Sequence, residues 1–289
     1  MNSVPQTNGE QVKMWNGVSG HAWVETQALL DAVMQPFEAL LTEAVAAAAP
    51  MRLLDVGCGT GATTIAAARA IGSRGRALGV DISQPMIEAA RMKAERENTS
   101  AEFLCADAQT HVFDRAGVDM IISRFGLMFF DDPVAAFANL RRAATDDAEL
   151  RFIVYRTPAE NPFMLTAERA AAPLLPNMPA RDPDAPGQFA FADPRRVERI
   201  LADSGWGDID IQPIDVPCRF PERELARWYM QLGPLGRILP EVDEPLRTQV
   251  AQAVRAGFDP YVQGDEVRFV AACWQVVARA AQAVENSGG

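Results

Sequence analysis

Histidine and cysteine are scarce in this sequence, which has two histidines and four cysteines among its 289 residues. The cysteines stand far apart, at Cys58, Cys105, Cys218 and Cys273, and no Cys-x-x-Cys pair occurs. Structural zinc sites need closely spaced cysteine and histidine ligands, so the sequence predicts no metal site. Because each cysteine lies in an apolar stretch, we expect reduced, buried thiols, which favours a cytoplasmic protein.

Basic residues and long apolar runs are also in short supply. Lysine and arginine total 27 against 38 acidic residues, a net charge of -11. A negative field repels phosphate groups, so nucleic acid and anionic membrane surfaces are disfavoured as partners. The first 13 residues are polar and look loosely ordered, unlike a signal peptide, and no run is long enough to predict a membrane span. The oligomeric state stays open.

Residues 51–156 contain a regular alternation of short apolar runs with helical segments. The predicted strands are 51–56, 76–81, 101–105, 118–123 and 150–155. Between them lie helical patterns, the clearest being 84–97, with Ser83 as its expected N-cap. Strand–helix alternation is typical of a parallel sheet covered by helices on both faces, so we predict an α/β fold.

The alternation is interrupted at both ends of the chain. Residues 1–50 are interpreted as an N-terminal helical segment, with Pro36 expected to kink or split a helix over 22–48. Residues 51–156 form the predicted ligand-binding core. Residues 157–289 complete the sheet, with a helix that begins at Asp193, but contain insertions at 157–192 and 221–262. We expect one globular domain, because the closing strands 209–216 and 267–278 belong to the same sheet.

A glycine-rich turn follows the first predicted strand. Residues 53–61 read Leu-Leu-Asp-Val-Gly-Cys-Gly-Thr-Gly, which brings together Asp55, Gly57, Cys58, Gly59 and Gly61. Glycines at such a turn let a ligand approach the backbone and the start of the next helix. With Ala62 next, the spacing is also close to a dinucleotide fingerprint, so a nicotinamide-dependent oxidoreductase is an alternative. Asp55 favours a ligand with a cationic amino group over a pyrophosphate.

Acidic residues end the second and third predicted strands. Asp81 can accept hydrogen bonds from both hydroxyls of a ribose, although a helix-capping role is the alternative. Asp107 can reach an adenine amino group, and the alternative is a simple turn residue. Carboxyl ends of parallel strands share one edge of the sheet, so both acids are expected near the glycine turn.

These motifs together resemble the class I S-adenosylmethionine-dependent methyltransferases, in particular the branch with the ubiquinone and menaquinone biosynthesis enzymes. The resemblance rests on residues 53–61, Asp81, Asp107 with Ala108, and the run 119–133. It implies a Rossmann-like, seven-stranded, mostly parallel sheet whose last strand is antiparallel. It also implies S-adenosyl-L-methionine as cofactor, and in-line methyl transfer to a small, largely apolar or aromatic acceptor. A non-catalytic cofactor-binding protein of the same fold is a further alternative.

The resemblance also implies roles for individual residues. The three glycines would line the methionine part of the cofactor, Asp81 would hold the ribose, and Asp107 with Ala108 would flank the adenine. The full expected cofactor-binding set is Asp55, Gly57, Cys58, Gly59, Gly61, Asp81, Ile82, Met86, Asp107, Ala108, Ser123 and Arg124. Ile82 and Met86 would pack on the adenine or ribose, and Ser123 and Arg124 would face the amino-acid end and the substrate.

Large side chains outside the alternation predict an apolar acceptor pocket. The expected acceptor contacts are Trp15, Trp23, Phe125, Met128, Phe163 and Trp228. We predict that the N-terminal segment and the two insertions form a helical lid over this pocket. His21, in the N-terminal segment, is the candidate general base, although a structural role is the alternative.

Overall fold

The computed structural model describes residues 8–176, 178, 182 and 185–280. Within them, eight strands form one sheet in the order β3-β2-β1-β4-β5-β8-β6, with β7 paired to β8. The strands are β1 Arg52–Val56, β2 Arg76–Asp81, β3 Glu102–Cys105, β4 Val118–Arg124, β5 Ala144–Tyr155, β6 Trp206–Pro221, β7 Val262–Gln263 and β8 Glu266–Ala280. The predictions for 1–50 and 157–192 fall in part on residues 1–7, 177, 179–181, 183 and 184, which lie outside the described residues.

Helices pack around the sheet. They are α1 Gly9–Asn16, α2 Val18–Glu25, α3 Gln27–Ala48, α4 Ala62–Ile71, α5 Gln84–Arg96, α6 Pro133–Ala143, α7 Pro162–Ala171, α8 Pro194–Asp203, α9 Leu225–Gln231, α10 Gly233–Ile238 and α11 Glu244–Gly257. The helix starts predicted at Ser83 and Asp193 are confirmed, because each side chain accepts a backbone N–H of the first turn. None of the described helices has both the length and the apolar character needed to cross a bilayer.

The strand directions agree with the predicted Rossmann-like sheet. Strands β1 to β5 are parallel, and the last strand, β8, runs antiparallel to both β5 and β6. Along the chain the sheet grows outward from β1 to β3, and then resumes on the other side of β1 with β4. The switch therefore lies between β1 and β4, and ligands of open α/β sheets bind outside the carboxyl ends of strands at such a point.

In the N-terminal segment the structure contradicts the split helix and the loose order of residues 9–13. Pro36 does not split the helix, because α3 continues from Gln27 to Ala48 with Pro36 inside it. One face of α3, with Val33, Phe37 and Leu41, is fully buried, and this packing outweighs the loss of one intrahelical hydrogen bond. Residues 9–13, expected to be loosely ordered, belong to α1.

Candidate functional site

The glycine turn after β1 has a backbone conformation that residues with a Cβ atom rarely adopt. Gly57, Gly59 and Gly61 have φ values of 69°, 56° and 84°, all in the left-handed region. A Cβ on Gly57 would lie 2.6 Å from the Cα of Gly126, so the loops after β1 and β4 touch at backbone level. The three glycines therefore fix the shape of the turn at the switch point of the sheet.

Asp81 ties this turn to the end of β2. Its Oδ2 accepts the N–H of Gly59 at 2.8 Å, and its Oδ1 accepts the N–H of Ser83 at 2.9 Å. Burial raises the pKa of Asp81, and these backbone hydrogen bonds partly offset the rise because they favour the charged form. The carboxylate thus organises two loops, while Ser83 supplies the side-chain cap of α5.

Asp107 connects the third strand to the N-terminal segment. Its Oδ1 accepts hydrogen bonds from Asn8 Nδ2 at 2.8 Å and from the N–H of Gln109 at 2.9 Å. The same Asn8 accepts the N–H of Asp131 at 2.9 Å through its Oδ1. The Oδ2 of Asp107 has a longer contact, 3.4 Å, with Thr110 Oγ1, so it retains the capacity to accept another donor.

Helix α1 lies across the loop between β2 and α5. Ser83 Oγ donates to the carbonyl of Trp15 at 2.6 Å. The Asn16 amide donates to the carbonyl of Ile82 at 3.1 Å and accepts the N–H of Gln84 at 2.9 Å. These three hydrogen bonds hold the start of the chain over the carboxyl edge of the sheet, where the glycine turn lies.

A cavity of 1010 Å³ lies between these loops and the N-terminal helices. Most of the expected site residues line it. From the cofactor-binding set these are Gly57, Cys58, Gly59, Asp81, Ile82, Met86, Asp107, Ala108 and Arg124. From the acceptor set all six line it, namely Trp15, Trp23, Phe125, Met128, Phe163 and Trp228. The structure therefore brings nine of the twelve expected cofactor-binding residues and all six expected acceptor residues to one continuous space.

Four expected site residues are placed elsewhere. Asp55 is buried behind the turn, where its Oδ2 accepts the Thr64 hydroxyl at 2.6 Å. Ser123 is also buried, and its hydroxyl donates to the carbonyl of Val56 at 2.7 Å. Gly61 packs against α5 and β3, and His21 is exposed on α2. None of the four lines the cavity, so Asp55, Gly61 and Ser123 can act only through the loops, and His21 has no geometric support as a base.

The carboxyl group of Asp55, just before the turn, has a pKa far from its ordinary value. Burial raises its pKa to about 6, against the opposing effects of the Thr64 hydrogen bond and of Arg124. Arg124 itself lines the cavity and donates to the carbonyl of Met34 at 3.4 Å. The positive charge of Arg124, a residue that lines the cavity, therefore acts on the buried carboxyl group of Asp55.

A methyltransferase domain family matches residues 53–147, which contain the turn, Asp81 and Asp107. The nocamycin O-methyltransferase of Saccharothrix syringae is 30% identical over 215 residues, which cover 70% of this chain and 75% of that protein. The chain belongs to the class I S-adenosylmethionine-dependent methyltransferases. Family membership agrees with the geometry and disfavours the nicotinamide alternative.

Two further relatives show how far the likeness extends. The aklanonic acid methyltransferase DauC of Streptomyces sp. (strain C5) is 39% identical over 89 residues, which cover 30% of this chain and 40% of that protein. The YcgJ protein of Bacillus subtilis superposes with a TM-score of 0.56 and 15% identity, covering 85% of this chain and 98% of that one. At that identity the likeness shows the fold alone.

Part of the cavity wall consists of stacked aromatic rings. Phe125 stacks on Tyr155 with ring centroids 4.3 Å apart and an interplanar angle of 9°. Phe163 stacks on Phe269 at 3.8 Å and lies 5.8 Å from Trp228. Phe125 has a φ of 61°, a left-handed conformation that a bulky side chain rarely adopts. Backbone strain of this kind is often found at ligand sites, and here the strained residue is one that lines the cavity.

Sequence reasoning missed several residues that line the methyltransferase's cavity. Among them are Asn8, Gln11, Met14, Tyr155 and Gln231. Tyr155 could have been found, because it ends β5 at the same edge as the strand-end acids. Asn8 and Gln231 carried no signal, since each depends on how a distant segment folds back onto the sheet. Among the described residues, no group of three His, Cys, Asp or Glu side chains could hold a metal ion.

Proposed function

We propose that this methyltransferase transfers the methyl group of S-adenosylmethionine to a small, largely apolar or aromatic acceptor. The observation that carries the proposal is one cavity whose lining includes the glycine turn and Asp81 as well as aromatic rings. Its 1010 Å³ lies at the upper end of the range for small-molecule pockets, about 300–1,000 Å³. A cofactor and an acceptor can therefore lie side by side within it.

The residues present fit the cofactor. A Cβ built on Gly59 would find no atom within 4 Å except the sulfur of Met86 at 3.8 Å, so the turn is open to the cavity at that glycine. Asp81 has lone pairs beyond its two backbone bonds for ribose hydroxyls, and Asp107 Oδ2 retains capacity for an adenine amino group. Arg124 offers a guanidinium for the carboxylate of the methionine part.

Methyl transfer would need little from the protein beyond the alignment of cofactor and acceptor. When bound, the cofactor would supply an electrophilic methyl group on a positively charged sulfur, so the protein would mainly have to position the acceptor against that methyl group. Positioning of this kind can supply on the order of 7–11 kcal/mol. Phe125, Phe163 and Trp228 would hold a flat acceptor and exclude water from the charged centre. The buried carboxylate of Asp55 would favour the positive end of the cofactor through the loop.

Binding and transfer tests separate this proposal from its alternatives. Calorimetry is expected to show submillimolar binding of S-adenosylhomocysteine. Methyl-labelled S-adenosylmethionine is expected to label at least one member of a panel of phenols, quinols and enols. Cofactor binding with no transfer to any member would favour a non-catalytic protein of this fold. Binding of NAD without binding of S-adenosylhomocysteine would favour the oxidoreductase alternative.

A further inference from the structure

Gln231, the last residue of α9, has a side-chain oxygen that the protein leaves unpaired. Its Oε1 is buried and makes no hydrogen bond. Among the described residues one other buried side-chain atom is in this condition, Thr63 Oγ1, but Thr63 does not line the cavity, whereas Gln231 does. Buried polar atoms in proteins are nearly always paired, so an unpaired one beside a cavity needs a reason.

Large apolar residues flank Gln231 along the chain, and two of them are held by ring stacking. On the same helix Trp228 stacks on Phe220 with centroids 5.3 Å apart, and Tyr229 stacks on Phe258 at 6.0 Å. Leu232 and Leu235 follow and also line the cavity. A leucine or methionine would fill such a position without leaving a polar atom unpaired. The amide is therefore best explained by a bound molecule that completes its hydrogen bonding.

We propose that Gln231 is a specificity-determining residue that selects acceptors presenting a hydroxyl or N–H group to its amide oxygen. This inference rests on the proposed function, because it takes the part of the cavity lined by Phe125, Phe163 and Trp228 as the acceptor site. Because the Gln231 side chain lines the cavity, a change of its rotamer on ligand binding would carry the whole amide to the cavity side, where an acceptor's donor can reach the oxygen. The neutral amide takes up no proton, so its role is selection of the acceptor and not base catalysis.

Two matched probes test the inference in the full-length protein saturated with S-adenosylhomocysteine. The probes are 2-hydroxyanthraquinone and anthraquinone, whose binding is followed by quenching of the cavity tryptophans. The protein is expected to bind the hydroxylated probe about tenfold more tightly, because only that probe pairs the amide. In Gln231→Met, which keeps the length but removes the amide, the ratio is expected to fall to about one. Equal affinities in the parent protein, an unchanged ratio in the variant, or failure of both probes to bind would overturn the inference.

Thermal unfolding supplies a second readout and a matched control. Gln11 also lines the cavity, but its Oε1 already accepts the Trp15 Nε1–H at 3.2 Å. We expect Gln231→Met to raise the Tm of the free protein by about 2 °C, and Gln11→Met to lower it. A loss of stability in Gln231→Met as large as in Gln11→Met would contradict an unpaired amide. Absence of S-adenosylhomocysteine binding in the parent protein would instead count against the proposed function.

Discussion

Asp81 combines two tasks within one carboxylate. It holds the N–H groups of Gly59 and Ser83, and it lines the cavity where a ribose would lie. The buried charge is costly, which is why the pKa of Asp81 is raised, so the fold alone gains little from keeping it ionised. A ligand that donates two hydroxyl groups would make better use of the same charge.

Asp81→Asn is therefore expected to weaken cofactor binding more than it weakens the fold. The amide keeps one acceptor oxygen, but loses the charge and one of the two charged hydrogen bonds to ribose. Calorimetry should show the Kd for S-adenosylhomocysteine rising by at least about tenfold, with a smaller change in Tm. Asp146→Asn, at an exposed site on β5, is the control and should change neither value. A folded Asp81→Asn protein with the parent's Kd would contradict the ribose-binding role.

Asp55 gives a prediction about pH and stability. Its pKa rises from 3.8 to about 6 on folding, so the folded state binds the proton more tightly than the unfolded state. The stability that this proton supplies is fully present below about pH 3.8 and is lost as the pH rises through 6. The shift corresponds to about 3 kcal/mol at pH 8. Asp55→Asn keeps an oxygen for the Thr64 hydroxyl without the buried charge.

Scanning calorimetry of Asp55→Asn should accordingly show a higher Tm than the parent at pH 8, and a much smaller difference at pH 4. The same variant should bind S-adenosylmethionine more weakly at pH 8, because the favourable charge behind the turn is gone. A Tm difference that is the same at both pH values would show that Asp55 is not the titrating group.

The comparison of Asp81 with Asp55 shows what the sequence could and could not predict about residues. Both acids lie at or next to a strand end, and both were expected at the ligand. In the register of β1 and β2, Asp55 lies opposite Gly79, so it is on the same face of the sheet as Asp81 but further from the carboxyl edge, where it accepts the Thr64 hydroxyl of α4, whereas Asp81 reaches the glycine turn. The pattern predicted which strand edge carries the site, but not which side chains of that edge face the cavity.

At the scale of elements, Gly57 in the turn after β1 is subject to two constraints, one on its backbone conformation and one on the space around it. Gly57 needs a left-handed backbone, with a φ of 69°, and also has the backbone of Gly126 within 2.6 Å of where a Cβ would be. Gly264, in the turn between β7 and β8, has a similar φ of 67°, but no atom within 4 Å of that position. The two glycines differ mainly in the close approach of another loop.

Paired alanine substitutions should separate these constraints. Gly264→Ala should cost about 1–2 kcal/mol, the strain of a left-handed alanine, and should leave cofactor affinity unchanged. Gly57→Ala should cost more and should also weaken binding of S-adenosylhomocysteine, because the loops after β1 and β4 must move apart. Chemical denaturation and calorimetry measure the two effects. Equal stability losses in the two variants would mean that the contact with Gly126 is unimportant.

The elements themselves could be predicted from the sequence where local signals agreed with packing. Ser83 and Asp193 predicted helix starts correctly, because a capping side chain acts on the first turn only. The predicted split at Pro36 did not occur, because the packing of the buried face of α3 keeps the helix continuous and that packing depends on the rest of the fold. The ordered α1 was missed for the same reason, since Asn8 and Asn16 find their partners at Asp107 and the β2–α5 loop.

At the scale of the whole molecule, segments distant in the chain meet over the cavity. Arg227, on α9, donates to the carbonyl of Glu25 at the end of α2 at 2.7 Å. Arg237, on α10, approaches the sulfur of Met14 on α1 at 3.5 Å. Tryptophans from both segments, Trp15 and Trp228, line the same cavity. The N-terminal helices and the 221–262 insertion thus form one cover, which consists of α1, α2, α9 and α10.

Because this cover lies on the same edge as the glycine turn, we predict that it moves when ligands enter. We predict that it is less stable than the sheet and becomes ordered when the cofactor is bound, as functional lids do. Hydrogen exchange should show that S-adenosylhomocysteine slows exchange in α1, α2, α9 and α10 as well as in the glycine turn. The sheet strands β4 and β5 should change little, because they are protected already.

The contact between Arg227 and Glu25 offers a way to test whether the cover acts as a unit. Arg227→Gln shortens the side chain and removes the hydrogen bond between α9 and α2, so cofactor-induced protection of α2 should decrease while the glycine turn stays protected. Arg223→Gln is the matched control, because the Arg223 side chain is 80% exposed and pairs with the adjacent Glu224 at 3.9 Å. That variant should behave like the parent. Protection confined to the turn in the parent protein, with α1 and α2 unaffected by the ligand, would contradict a lid.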